Sequence, residues 1–205
     1  MDETDLSRLA ADVRWLKDRA EIIDALNRYT RGLDRLDREL LLSAYHPHAT
    51  DDRGAAYHPE GYDERGIFSG GREARVDWLI REVGKLHHCS HHISNFTIEI
   101  DGDEAHCEAY VITTALETPD ARTVTLGGAR YNDRLERIDG RWAIAHREVI
   151  MDFQAKVPVA DLPPGVLRGS RDKSDRTYLR PLSLSEEARR RMGREQGTTP
   201  QPARD

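Results

Sequence analysis

The chain has 205 residues, enough for one domain with a sizeable core and some additional segments. Its 31 basic and 37 acidic residues leave a formal charge of −6 with both signs interspersed, so there is no basic footprint for nucleic acid. No apolar run approaches the roughly 18 residues that cross a bilayer, MDETDLSRLA lacks the basic-then-apolar order of a secretion signal, and Cys89 and Cys107 cannot build a disulfide framework; the expected setting is the cytoplasm, away from membranes.

Leu6, Leu9, Val13, Leu16, Ala20, Ile23 and Leu26 recur at intervals of three and four, which predicts a helix running to about Tyr29 or Leu33. Asp37–Tyr45 is rich in good helix formers and predicts a second helix, closed by Pro47. From His46 to Gly71 glycine, proline, aspartate and tyrosine dominate without a period, and loop with short strands is expected. Glu73–Val83 is an amphipathic helix that stops near Gly84. The pattern then changes. Ser94–Ile100 alternates as a strand and runs into the turn signal Asp101–Gly102. Ala105–Leu116, Thr123–Arg137 and Arg141–Phe153 follow as long β-rich runs, with Asp139–Gly140 between the last two.

Helices followed by a meander of long strands define an α+β class. Residues 1–155 form the predicted domain: N-terminal helices packed on a strongly curved, mostly antiparallel sheet that encloses a pocket. Residues 156–205 hold a proline-rich stretch, VPVADLPPGVLRGS, and then little period; an extended, partly disordered tail is expected.

HHCSHH places His87, His88, His91 and His92, four of the nine histidines, around Cys89. Such residues are zinc ligands elsewhere. Here they fall at a helix-to-strand junction, with neither a helical HxxxH nor a CxxC beside them, and no metal is expected. If Ser90–Ile100 is extended, His91 shares a face with Ile93 and Asn95, and His92 shares the other with Ser94 and Phe96.

Four stretches taken in order, EIIDALNRYTRGLDRLD, SAYHPHATDDRG, HHISNFTIEIDGDEA and GGARYNDRLERIDGRWAIAHREV, resemble the SnoaL-like branch of the nuclear transport factor 2-like superfamily. The resemblance covers roughly Leu9–Phe153, and RGSRDKSDRTY also looks like the end of bacterial members. It implies a cone-shaped α+β barrel with a deep, largely apolar pocket. Enzymes of this kind include scytalone dehydratase, bile-acid 7α-dehydratase and hexachlorocyclohexane dehydrochlorinase, which remove a proton without a cofactor.

The resemblance assigns His91 as the catalytic base or acid, because HHISN supplies a histidine followed four residues later by Asn95. It assigns Asp34, in YTRGLD, as the carboxylate that orients it, and Tyr29 and Arg147 as further catalytic groups that stabilise a departing oxygen or developing anion. Tyr131, Thr114 and Arg53 are implied as substrate-binding positions. The chain departs from the bile-acid enzyme at Thr114, where that enzyme has an acid. The implied activity is a cofactor-independent lyase that eliminates water, or formaldehyde from an aryl diol, from a hydrophobic hydroxylated small molecule. An isomerase or cyclase using the same dyad, and a non-catalytic binding or accessory subunit such as a dioxygenase β-subunit, are the alternatives. A homo-oligomer, trimer or dimer, is also implied.

Overall fold

A computed structural model describes residues 2–52, 56–58, 61–63 and 69–179, together with 186 and 190. The first helix, α1 (Glu3–Asp34), opens on a capping box. The Asp2 carboxylate accepts from the Asp5 backbone N–H, and the Asp5 side chain accepts from the Asp2 N–H in return. Only its second half joins the core. Ile22, Ala25, Leu26, Tyr29 and Leu33 are buried, whereas Leu6, Leu9, Val13 and Leu16 are each about half exposed. The buried stripe is therefore offset from the one the leucine spacing suggests. Asp18 marks the change: buried, it accepts from Trp142 Nε1 at 2.9 Å and Arg137 Nη1 at 2.7 Å, tying the helix to the sheet.

The second helix, α2 (Arg38–Leu42), is five residues long and capped by the Asp37 carboxylate on Leu40 N–H. It is shorter than the Asp37–Tyr45 expectation because the chain turns at Ser43 and enters strand β1 (Tyr45–Asp52) at once. Pro47 lies inside that strand rather than ending a helix. The pairing shifts register between Tyr45 and Thr50, and such irregularities accommodate proline. Gly32 lets the two helices touch, since a Cβ there would lie 2.6 Å from Leu41 N and 2.8 Å from its Cα. Gly32→Ala is expected to cost about 1–3 kcal/mol through this overpacking, measured by urea denaturation; an unchanged midpoint would show that α2 moves aside freely.

Short strands β2 (Ala56–His58), β3 (Gly61–Asp63) and β4 (Ser69–Gly71) precede helix α3 (Arg72–Val83). Four long strands follow: β5 (His88–Asp101), β6 (Glu104–Leu116), β7 (Thr123–Ile138) and β8 (Arg141–Pro158), with a 3-10 turn at Arg176–Tyr178 in the tail. Among the described residues, six strands make one sheet in the order β4-β1-β8-β7-β6-β5, with β1 parallel to β8 and every other pair antiparallel. The helices cover one face of this sheet. β2 and β3 pair separately. Among the described residues, no helix is long and apolar enough to cross a membrane.

β5 begins six residues before the expected Ser94 and contains a β-bulge. Its register with β6 shifts between Ser94 and Thr97, and Asn95 takes a positive φ of 53°. One extra residue reverses the alternation. Cys89, His91 and Ile93 face inward before the bulge, and Phe96, Ile98 and Ile100 face inward after it. Phe96 is thus on the same side as His91, not with His92, and Asn95 leaves His91's face.

Candidate active site

Two segments converge on the candidate centre. Asp34 is the last residue of α1, and His91 sits near the start of β5, eight residues beyond the end of α3 at Val83. The Asp34 carboxylate holds His91 twice: Oδ1 lies 2.6 Å from the ring Nδ1, and Oδ2 accepts from the His91 backbone N–H at 3.0 Å. Both side chains are about nine-tenths buried. A carboxylate only accepts at neutral pH, so Nδ1 must carry the proton and Nε2 the lone pair. That is the tautomer a base acting through Nε2 requires.

Cys89 packs beside this pair, its Sγ 3.9 Å from His91 Nδ1. Burial, with the nearby Asp34 charge, pushes its thiol up to about 12. Asp34, Cys89 and His91 each offer a ligand atom, all within 4.8 Å of one another. A metal bound by Asp34 Oδ1 and His91 Nδ1 would displace the proton between them and remove a strongly held thiol proton. The trio as arranged is a hydrogen-bonded cluster. His88 is half-buried, and burial together with Arg171 lowers its pKa, so it is neutral at pH 7. His87 and His92 are exposed.

Tyr29, Tyr131 and Arg147 form a second cluster. Tyr29 precedes Asp34 by five residues, about 7.5 Å along the helix, and therefore lies deeper in the core. The Arg147 guanidinium is fully buried between the two rings, 4.1 Å from the Tyr29 centroid and 4.0 Å from that of Tyr131. Asp133 clamps it with two hydrogen bonds of 2.6 Å. Burial alone would lower the arginine pKa, but Asp133 outweighs it and holds the group well above its usual value. Among the described residues, Tyr29 Oη and Arg147 Nη1 are buried polar atoms without a hydrogen-bond partner.

Thr114 lies elsewhere than a substrate-facing position requires. It pairs with Ser90 across β5 and β6, and their hydroxyls bond at 2.6 Å on the sheet face opposite His91. The register partner of His91 is Thr113, which shares its face. A one-residue difference on a strand moves a side chain to the other side of the sheet. Arg53 falls outside the described residues.

The tail supplies what the sequence alone did not assign. Arg171 donates from Nε to the Asp34 carbonyl at 3.1 Å, from Nη1 to the carbonyls of Val83 and Leu86 at 2.8 and 2.9 Å, and from Nη2 to that of Leu33 at 3.4 Å. Lys173 and Tyr178 both reach the Asp37 carboxylate, the latter at 2.9 Å. Asp175 knits the segment together, accepting from the N–H groups of Ser170 and Thr177 and from the Thr177 hydroxyl. The family resemblance of RGSRDKSDRTY was the available signal for this segment, and it carried no role.

Those Thr177 and Ser170 bonds hold the Asp175 carboxyl down at about 2, against about 3.9 in an unfolded chain. The folded pKa is depressed, so this contribution is fully present above about pH 4 and is lost as pH falls through about 2. The Ser170 and Thr177 amide resonances should therefore shift with a midpoint near 2. A midpoint near 4 would mean that Asp175 is not held this way.

Helices packed on a six-stranded, mostly antiparallel sheet match the nuclear transport factor 2-like α+β cone fold. Residues 14–148 match the family model described as a SnoaL-like domain. The chain belongs to the SnoaL-like family, and its fold is the one shared with the solved structures below. Among curated proteins it is similar to Rv2910c of Mycobacterium tuberculosis, 25% identical over 150 residues that cover 73% of this chain and 95% of the relative. Among solved structures it is similar to a type 2 hexachlorocyclohexane dehydrochlorinase, at a TM-score of 0.62 and 21% identity, covering 76% of this chain and 99% of that one. A scytalone dehydratase-like protein of Novosphingobium aromaticivorans matches at a TM-score of 0.57 and 23% identity, covering 77% and 99%. At such identities these structures establish the shared fold.

Proposed function

We propose that the chain is a cofactor-independent lyase in which His91, held by Asp34, removes a proton from a hydrophobic, hydroxylated small molecule. The observation that carries this reading is the double hold of one carboxylate on the ring and backbone of His91. It fixes the tautomer and ring direction, and it stabilises the imidazolium once a proton arrives, as the carboxylate of a hydrolase triad does. The dehydrochlorinase among the structural neighbours is named for an elimination, which makes that reaction class the natural one to test.

For loss of water, Nε2 takes a proton from carbon, the C–H electrons become the new C=C bond, and the C–O electrons leave with hydroxide. The imidazolium then returns its proton to the hydroxide, so water departs and the base is restored. For a 1,3-diol bearing a terminal hydroxymethyl group, the proton comes from that hydroxyl. Its oxygen forms C=O, the C–C electrons form the alkene, and hydroxide leaves from the far carbon, giving formaldehyde and water. The buried, unpartnered Tyr29 Oη and Arg147 Nη1 would meet an oxygen of the substrate, since buried polar groups ordinarily find a partner.

The test is a panel of hydroxylated aromatic and alicyclic compounds incubated with the protein and read by mass spectrometry. A product lighter by water, or by formaldehyde and water, supports the lyase. A product of unchanged mass that requires His91 would make the protein an isomerase. Binding without any turnover would make it a carrier.

A further inference from the structure

The Asp34–His91 pair is built from two chain ends that have no covalent reason to stay together. Asp34 terminates α1, and His91 follows the end of α3. A shift of either helix end by an ångström would break a 2.6 Å contact. One side chain joins them, and it comes from the far tail. The Arg171 guanidinium spans the last carbonyls of α1, Leu33 and Asp34, the last carbonyl of α3, Val83, and that of Leu86 in the turn leading into β5. Carbonyls at helix C-termini lack an intrahelical partner and carry partial negative charge. Leu33 and Val83 each also accept one turn N–H, at 3.3 and 3.1 Å, and keep a second lone pair that a planar cation with five donors can meet.

We propose that Arg171 is a positioning residue for the Asp34–His91 pair, clamping the end of α1 that carries Asp34 to the turn after α3 that leads into His91's strand; the functional consequence rests on the lyase reading above. Its Nε, Nη1 and Nη2 all donate to backbone carbonyls, so its role is to hold the frame and not to touch substrate. The surrounding segment keeps it in place. Lys173 and Tyr178 anchor to Asp37 three residues beyond Asp34, and Arg31 donates from Nη2 to the Thr177 carbonyl at 3.3 Å. The segment 171–178 is thus a strap across the C-terminal end of α1. Lysine, with a single ammonium on a flexible stem, cannot reproduce contacts to four carbonyls.

The test compares the full-length wild type with Arg171→Ala and Arg171→Lys. The readout that needs no substrate is the far-downfield Nδ1–H proton resonance of a histidine bonded to a buried carboxylate, assigned by its loss in His91→Gln. In Arg171→Ala this resonance should broaden or vanish while the melting curve stays cooperative, and millimolar guanidine should restore it. With a substrate in hand, kcat should fall about 10–100-fold with KM nearly unchanged, and guanidine should recover part of it. An unchanged resonance in a folded Arg171→Ala protein overturns the proposal. If the alanine variant does not fold, Arg171→Lys decides: a wild-type resonance overturns the proposal, and a weakened one supports it. Wild type without the resonance would overturn it as well. Should no compound turn over, the lyase reading fails, yet the comparison of resonances still decides whether Arg171 sets the geometry.

Discussion

His91→Ala is expected to lower turnover by at least about a hundredfold, within the range of about 10²–10⁴ that a positioned base contributes, and to leave the fold intact because the residue lies near the start of the edge strand β5. Asp34→Asn is the more searching variant. The asparagine amide can keep the 3.0 Å contact to the backbone N–H with its oxygen while turning its NH₂ toward Nδ1. That donor would favour the tautomer with the proton on Nε2, which removes the lone pair from the reacting nitrogen. Geometry survives and chemistry does not. A loss as large as that of His91→Ala, with circular dichroism unchanged, is therefore expected of Asp34→Asn. The double variant should lose little more than either single one, since residues acting as a unit are strongly non-additive. Near-wild-type rates in either single variant would end the proposed role of the pair.

How much of this was legible in the sequence depends on whether the deciding contact was local. The meander was: alternation in Ala105–Leu116 and Thr123–Arg137 and the turns at Asp101–Gly102 and Asp139–Gly140 are period-2 patterns with punctuation. The pairing of Asp34 with His91 was not, because the residues are 57 positions apart; only the family resemblance pointed to it. Strand alternation picked out the right face for His91 but the wrong one for Phe96, since nothing local announces that Asn95 adopts φ 53° and reverses the count. Thr114 was named by the resemblance alone; the structure puts it on the face opposite His91, one position from Thr113, which pairs with His91. Leu6, Leu9, Val13 and Leu16 set the helical spacing yet stay about half exposed, because spacing reports amphipathicity, not what lies opposite. Arg171 was invisible for a different reason. Its partners are backbone carbonyls, which any sequence supplies, so no pattern of side chains encodes the contact.

Asp133→Leu is expected to have the largest effect on stability of any single change considered. The Asp133–Arg147 pair is completely inaccessible to solvent, with two charge-assisted bonds of 2.6 Å. Removing the carboxylate leaves a buried guanidinium whose remaining stabilisation is the faces of Tyr29 and Tyr131, worth about 2 kcal/mol at best. Breaking such a pair costs about 3–5 kcal/mol, which lowers Tm by on the order of 10 °C for a domain of this size. Replacing both partners, as Asp133→Leu with Arg147→Met, removes the stranded charge and should recover most of that loss, because buried ion pairs often only break even against apolar substitutes. The double variant then separates two roles of Arg147. If Nη1 meets a substrate oxygen, turnover in the restabilised double variant stays low, by about the 10²–10³ that one lost electrostatic donor costs. If turnover returns with stability, Arg147 serves the core alone, and Tyr29 is the remaining group in that cluster to address the leaving oxygen.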